Sequence, residues 1–215
     1  GSGADLAKLL SSFDANLLIK IGEVRYRDTV ISKSALDATV QSGEIVIRDL
    51  SVKDVGGAEI KVTGELAGTV VEPSTDINVS VSAKSAAKLA RLVGIDVTPT
   101  IQNLGGFNFQ SKILGSLASL NLDAVLRVAG ARLDAKGVVR PLDSPPRLDL
   151  ALKLSHPKAE QFIALLDKDT VAQGLKFGSA TAAASIVSRN GTGVDLDATL
   201  NLAGGQLTVL GLIKP

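Results

Sequence analysis

Three segments of this chain match one another at a nearly fixed spacing. They are Gly57-Ala58-Glu59-Ile60-Lys61-Val62-Thr63-Gly64, Gly130-Ala131-Arg132-Leu133-Asp134-Ala135-Lys136-Gly137 and Gly204-Gly205-Gln206-Leu207-Thr208-Val209-Leu210-Gly211. Each is a Gly, a small residue, an alternating run and a closing Gly. The offsets are 73 and 74 residues. Self-similarity at a fixed period marks a repeat architecture, in which units stack because none can bury its apolar surface alone.

The residues that follow the first two copies also correspond. Glu72-Pro73-Ser74 and Ser144-Pro145-Pro146 read as turns, and each precedes an alternating strand, Asp76 to Val81 and Arg147 to Leu154. A helical pattern comes next. Over Ser82–Val93 the apolar positions are Ala86, Leu89, Ala90, Leu92 and Val93; over Ser155–Leu166 they are Ala159, Phe162, Ile163, Leu165 and Leu166. Spacings of three and four give one apolar stripe. Ser155 is placed as an N-cap and Pro157 in the first turn, where its missing N–H costs little. Asp5 to Leu10 reads as a remnant of an earlier helix.

The remaining strands alternate with a period of two, as in Leu120 to Val128 and Val194 to Leu202. One apolar face and one polar face imply an antiparallel sheet. Ser42-Gly43, Gly56-Gly57, Ala129-Gly130 and Gly204-Gly205 fit hairpin turns. The expected fold is mainly β with short helices: an antiparallel, repeating β-groove with one amphipathic helix per unit of about 73 residues. Residues 1–3 (Gly-Ser-Gly) read as a cloning scar, 4–83 as a first unit of about five strands, 84–155 as a helix plus a second unit of about four, and 156–215 as a helix plus a third, truncated unit.

Candidate chemistry is sparse. The chain has no Cys and one His, so thiolate metal sites, disulfides and Cys nucleophiles are excluded, and an ordinary zinc site lacks ligands. His156 reads as a solvated residue at a helix entry. Asp195 and Asp197 lie two apart on one strand and read as solvating residues of the polar face. No Gly-x-Ser-x-Gly elbow and no phosphate-binding loop is present. Asn78-Val79-Ser80 and Asn190-Gly191-Thr192 match a glycosylation pattern that is frequent by chance. A net charge of +1 and 3% aromatic residues argue against nucleic-acid binding. No run of about 18 uncharged apolar residues exists to span a membrane as a helix. The expectation is a non-enzymatic protein without a cofactor.

Several stretches resemble the AsmA family of Gram-negative envelope proteins: Phe13 to Leu17 through Val24-Arg25-Tyr26-Arg27, Ile45 to Asp54, Gly56 to Ile60, and Gly105-Gly106-Phe107 through Leu120–Ala124 to Gly137. The match is one of patterning over nearly the whole chain, without a sharp signature. The resemblance implies a piece of a bridge-like lipid-transfer protein, anchored in the inner membrane and projecting into the periplasm. It implies a taco-shaped β-groove that carries phospholipid acyl chains between inner and outer membranes.

The physical reading adds which residues would line such a groove. They are Ile60, Val62, Ile77, Val79 and Val81 in the first unit. Leu122, Ala124, Leu126, Val128, Leu133, Ala135, Leu148, Leu150 and Leu152 follow in the second, and Leu196, Leu200, Leu207 and Val209 in the third. A helix of about 10 residues, about 15 Å long, is too short to cover such a face. The competing expectation is an assembly module with the same face closed into a core, binding outer-membrane assembly partners along a sheet edge. End strands left unsealed would pair with another copy.

Overall fold

The computed structural model describes residues 14–26, 29–68, 73–92, 94–166, 176–189 and 193–213. They form one twelve-stranded sheet in which every strand pairs with its neighbours in sequence. The strands are β1 (Ala15–Tyr26), β2 (Thr29–Gln41), β3 (Glu44–Val55), β4 (Ala58–Gly68) and β5 (Pro73–Ala83). Then come β6 (Phe107–Ser116), β7 (Ser119–Val128), β8 (Ala131–Arg140), β9 (Arg147–His156), β10 (Ala180–Arg189), β11 (Gly193–Leu202) and β12 (Gly205–Ile213). All eleven pairings are antiparallel. Among the described residues the sheet is a meander with β1 and β12 as its edge strands.

The two-residue turns explain the tight connections. Ser42-Gly43, Gly56-Gly57, Ala129-Gly130 and Ala203-Gly204 all place two successive residues at positive φ. That geometry matches the right-handed twist of the strands it joins. The last turn falls one residue before the expected Gly204-Gly205, because Gly205 already pairs with Leu202 in the ladder.

The helices are α1 (Ala86–Leu92), α2 (Pro99–Asn103) and α3 (Ala159–Leu166). Both expected helices begin four residues later than the pattern placed them, because the preceding strand runs on to Ala83 and His156. Ser155 is therefore a strand residue paired with Thr181, not an N-cap, and Pro157 precedes the helix. α2 was not expected: Thr98 caps it by accepting from the Ile101 N–H, with Pro99 in its first turn. The β5–β6 crossover thus carries two helices and the β9–β10 crossover one among the described residues. The remnant helix at Asp5–Leu10 lies outside the described residues. No described helix is long and apolar enough to cross a membrane.

The repeat extends to single hydrogen bonds. The Ala86 N–H donates to the Gly105 carbonyl at 2.7 Å, and 73 residues later the Ala159 N–H donates to the Gly178 carbonyl at 2.6 Å. Gly105 and Gly178 share φ values of +71° and +69°. Each crossover is pinned to its return strand in the same way.

The closing glycines of the repeat sit at one level of the sheet. Gly64 lies on β4, Gly137 on β8 and Gly211 on β12, every fourth strand. A Cβ on Gly64 would lie 2.0 Å from the Asp76 carbonyl oxygen, and one on Gly137 would lie 1.9 Å from that of Asp149. Neither position has room for a side chain while the next strand is paired. Gly211, on the edge strand, meets nothing within 4 Å.

Candidate functional site: an aliphatic face across twelve strands

Register settles which residues share a face. Opposed residues of an antiparallel pair project to the same side. Following the pairs strand by strand gives Leu17, Ala38, Ile47, Gly64, Ile77, Ile113, Leu122, Gly137, Leu150, Ile186, Leu196 and Gly211. This row crosses all twelve strands without one polar side chain. With strands about 4.8 Å apart it is roughly 50 Å long.

The next row runs Ile19, Leu36, Leu50, Val62, Val79, Ser111, Ala124, Ala135, Leu152, Ala184, Ala198 and Val209 by the same pairings. Its middle is built from small residues, and its one polar member is Ser111. That hydroxyl is buried and has no hydrogen-bond partner in the structure. A third row includes Ile60, Val81, Phe109, Leu126, Leu133, Leu154, Ala182, Leu200 and Leu207.

The eighteen residues expected to line a groove all lie on this one face. Ile77, Leu122, Leu150 and Leu196 belong to the first row. Val62, Val79, Ala124, Ala135, Leu152 and Val209 belong to the second, and Ile60, Val81, Leu126, Leu133, Leu200 and Leu207 to the third. Val128 and Leu148 sit on flanking rows, opposite Phe107 and Val139. Sequence reasoning left out all of β1, β2 and β3, then Phe109, Ile113 and Leu154, and the whole of β10. In β6 the alternation is interrupted by Ser111. In β10 the run Ala-Thr-Ala-Ala-Ala-Ser puts alanine on both faces and hides the period.

Burial shows what covers this face. The buried apolar residues are Ala38, Val40, Val55, Ala58, Ala87, Ala124, Ala131 and Ala159; none among the described residues is a Leu, Ile or Phe. A closed core of this size would bury its large aliphatic side chains first. The helices do not cover the face. Leu92 of α1 rests on the β3–β4 turn, 3.7 Å from where a Gly56 Cβ would be. α3 packs on the end of the strands around His156, Ala131 and Ala180. Among the described residues no protein layer lies over the three central rows.

The opposite face is polar and laddered with ion pairs: Lys53–Glu59 at 2.5 Å, Lys136–Asp123 at 2.7 Å, Lys112–Asp76 at 3.6 Å and Arg48–Asp37. The hydrogen bond from Lys136 to Asp123 raises the lysine pKa, and the one between Arg132 and Asp134 lowers that of the aspartate. These pairs are exposed, so each contributes little. Asp195 and Asp197 lie on this face, between the apolar-face residues Val194, Leu196 and Ala198.

His156 is not a solvated entry residue: it is 4% exposed. Its Nδ1 accepts from the Lys158 N–H at 3.0 Å, which leaves Nε2 to donate to the Ala129 carbonyl at 2.9 Å. The ring also contacts Phe162, centroid to centroid 5.9 Å. The residue ties β9, the β7–β8 turn and α3 together. The missed signal is that β9 alternation, Leu148-Leu150-Leu152-Leu154, continues directly onto position 156.

Compared with protein-family models, the chain has no match. No curated protein and no solved structure matches it either.

Proposed function

We propose that this chain is a segment of a bridge-like lipid-transfer protein, of the kind its sequence patterning resembles. In this reading its aliphatic face carries phospholipid acyl chains. The observation that carries the reading is the continuous apolar row from Leu17 to Gly211, uninterrupted over twelve strands and, among the described residues, uncovered by a second layer. Exposed apolar surface on this scale marks a binding surface. Burying an acyl chain on it contributes about 0.8 kcal/mol per methylene, so a floor of Val, Leu and Ile holds lipid without polar anchors. Headgroups stay at the wet margin.

The remaining parts of the proposal follow from that role. The chain works without catalysis or cofactor. Its partners are a phospholipid and, through further parts of the protein, the inner and outer membranes. Its place is the periplasm, where it supports the outer membrane. The absence of any buried Leu, Ile or Phe among the described residues favours this reading over a closed assembly module.

Native mass spectrometry of the purified chain, with photocrosslinking from Leu126 and Leu150, tests the reading. Copurified phospholipid and crosslinks to acyl chains are expected. A lipid-free protein that gives no crosslink from either position would overturn it.

A further inference from the structure

A partly open apolar cavity of about 240 Å³ lies between α3 and the sheet. Its floor is alanine: Ala131, Ala180 and Ala182. Its roof is Phe162 and Ile163 of α3, and its walls include Leu154, Leu200 and His156. A comparison of the two units shows how the space is made. In the first, the cross-strand pairs at this level are Ala83–Phe107 and Val81–Phe109. Seventy-three residues later the same pairs are His156–Ala180 and Leu154–Ala182. The bulk has moved off the return strand to its neighbour. The helix positions have grown in step, Leu89 to Phe162 and Ala90 to Ile163. The alanine floor leaves a chamber under α3 at the level where the first unit has two phenylalanines.

We propose that this chamber receives the methyl end of a single acyl chain. The inference deepens the groove reading and rests on it. Three observations select that ligand. An apolar cavity of about 150 Å³ already takes up a molecule the size of benzene, so this one admits an alkyl segment. Two polar residues line it: Thr181 projects to the opposite face of the sheet, between Ala180 and Ala182, and His156 has both ring nitrogens engaged by Ala129 and Lys158, so neither offers anything to a headgroup. The chamber is also continuous with the open face, because Leu154 and Leu200 belong to the row that runs from Leu133 to Leu207. A chain lying along that row can turn its terminus under α3, where it is held more firmly than on the bare sheet.

The test uses two forms of dodecanoic acid, one with a photoreactive diazirine next to the terminal methyl and one with it next to the carboxylate. The terminal probe is expected to label Phe162 and Ile163, and the carboxylate-end probe to label neither. Ala182→Phe restores the bulk that Phe109 supplies in the first unit. It is expected to lower terminal labelling at Phe162 at least tenfold while labelling around Val62 and Val79 persists. Ala180→Leu narrows the same floor if Ala182→Phe does not fold. Labelling confined to the open rows, or labelling of Phe162 that survives a folded floor variant, overturns the chamber and leaves the groove reading standing. No labelling anywhere overturns both.

Discussion

The Nε2–H of His156 donates to the carbonyl of Ala129 at 2.9 Å, and Gly130, the next residue, lies under the same ring. A Cβ on Gly130 would be 2.9 Å from Nε2, and its φ is +81°. His156→Ala removes two hydrogen bonds and the contact with Phe162, and leaves the half-buried Ala129 carbonyl without this donor. It should destabilise the second unit by roughly 2–4 kcal/mol. Gly130→Ala should cost about 1–2 kcal/mol from its left-handed backbone, with the clash in addition. In the His156→Ala background the clash is gone, so the two losses should add to less than their sum in a double-mutant cycle followed by urea unfolding.

Gly137 and Gly211 are the same residue of the repeat in different surroundings. Gly137→Ala drives a methyl into the Asp149 carbonyl and should cost roughly 2–4 kcal/mol, at the upper end of single substitutions. Gly211→Ala meets open space and should change stability by about 0.5 kcal/mol or less. Equal losses at the two sites would show that the glycines serve strand flexibility and not close strand approach.

Glu160 anchors the start of α3. Its pKa is lowered, first by its own backbone N–H and then by the amides of Phe177 and Gly178, at 3.3 and 3.2 Å. A carboxyl with a depressed folded pKa contributes stability that is present above its unfolded value and lost as pH falls through the folded one. Amide exchange in α3 should therefore quicken below about pH 4.5, relative to β6–β8. Glu160→Gln should quicken it at neutral pH and remove the acid dependence. An unchanged pH profile in that variant would show that the anchor lies elsewhere.

Much of this architecture was legible because two simple signals reinforced each other. Alternation in β7, β8, β9 and β11 assigned their faces, and the glycine-bounded repeat set their order. All eighteen groove candidates consequently fall on one side of the sheet. The signals failed where composition flattened the contrast. Alanine on both faces conceals β10, and Ser111 breaks β6. Helix starts were misplaced because a strand and a helix can share apolar spacing at their junction; only the ladder pairs of Ala83 and His156 show where the strand ends. The alternation of β9 carries His156 onto the apolar face, but it does not give the residue's burial. Nothing local reveals that the Ala129-Gly130 turn arrives above it.

A charge on the central rows should stop lipid uptake without unfolding the sheet. Leu126 opposes Phe109 and Leu133, and Leu150 opposes Gly137 and Ile186. Leu126→Glu or Leu150→Glu puts a carboxylate on the line an acyl chain must follow, where the alternative to solvation is an unpaired charge against hydrocarbon. Copurifying lipid is expected to fall several-fold in each. Far-ultraviolet circular dichroism should hold, since units of a repeat fail locally. Lipid content unchanged in both variants would mean that lipid does not lie on this face.

The last strand carries a further consequence. β12 presents Leu210 and Leu212 on the face that carries the ion pairs, and Leu210 is 74% exposed. A strand apolar on both faces, with an unpaired ladder edge, is a template for another strand. The isolated chain should therefore self-associate with rising concentration in sedimentation velocity. Leu210 opposes Asp197 on β11, so Leu210→Lys places an ammonium beside an existing carboxylate. The exchange should change stability by no more than about 0.5 kcal/mol. It should also shift the chain toward monomer, because an edge lysine must be desolvated before a second strand can dock. A wild-type chain that is monomeric at every concentration would show that the edge is already protected. Association that persists in Leu210→Lys would move the contact to β1, whose Leu18 is the other strongly exposed edge leucine, at 68%.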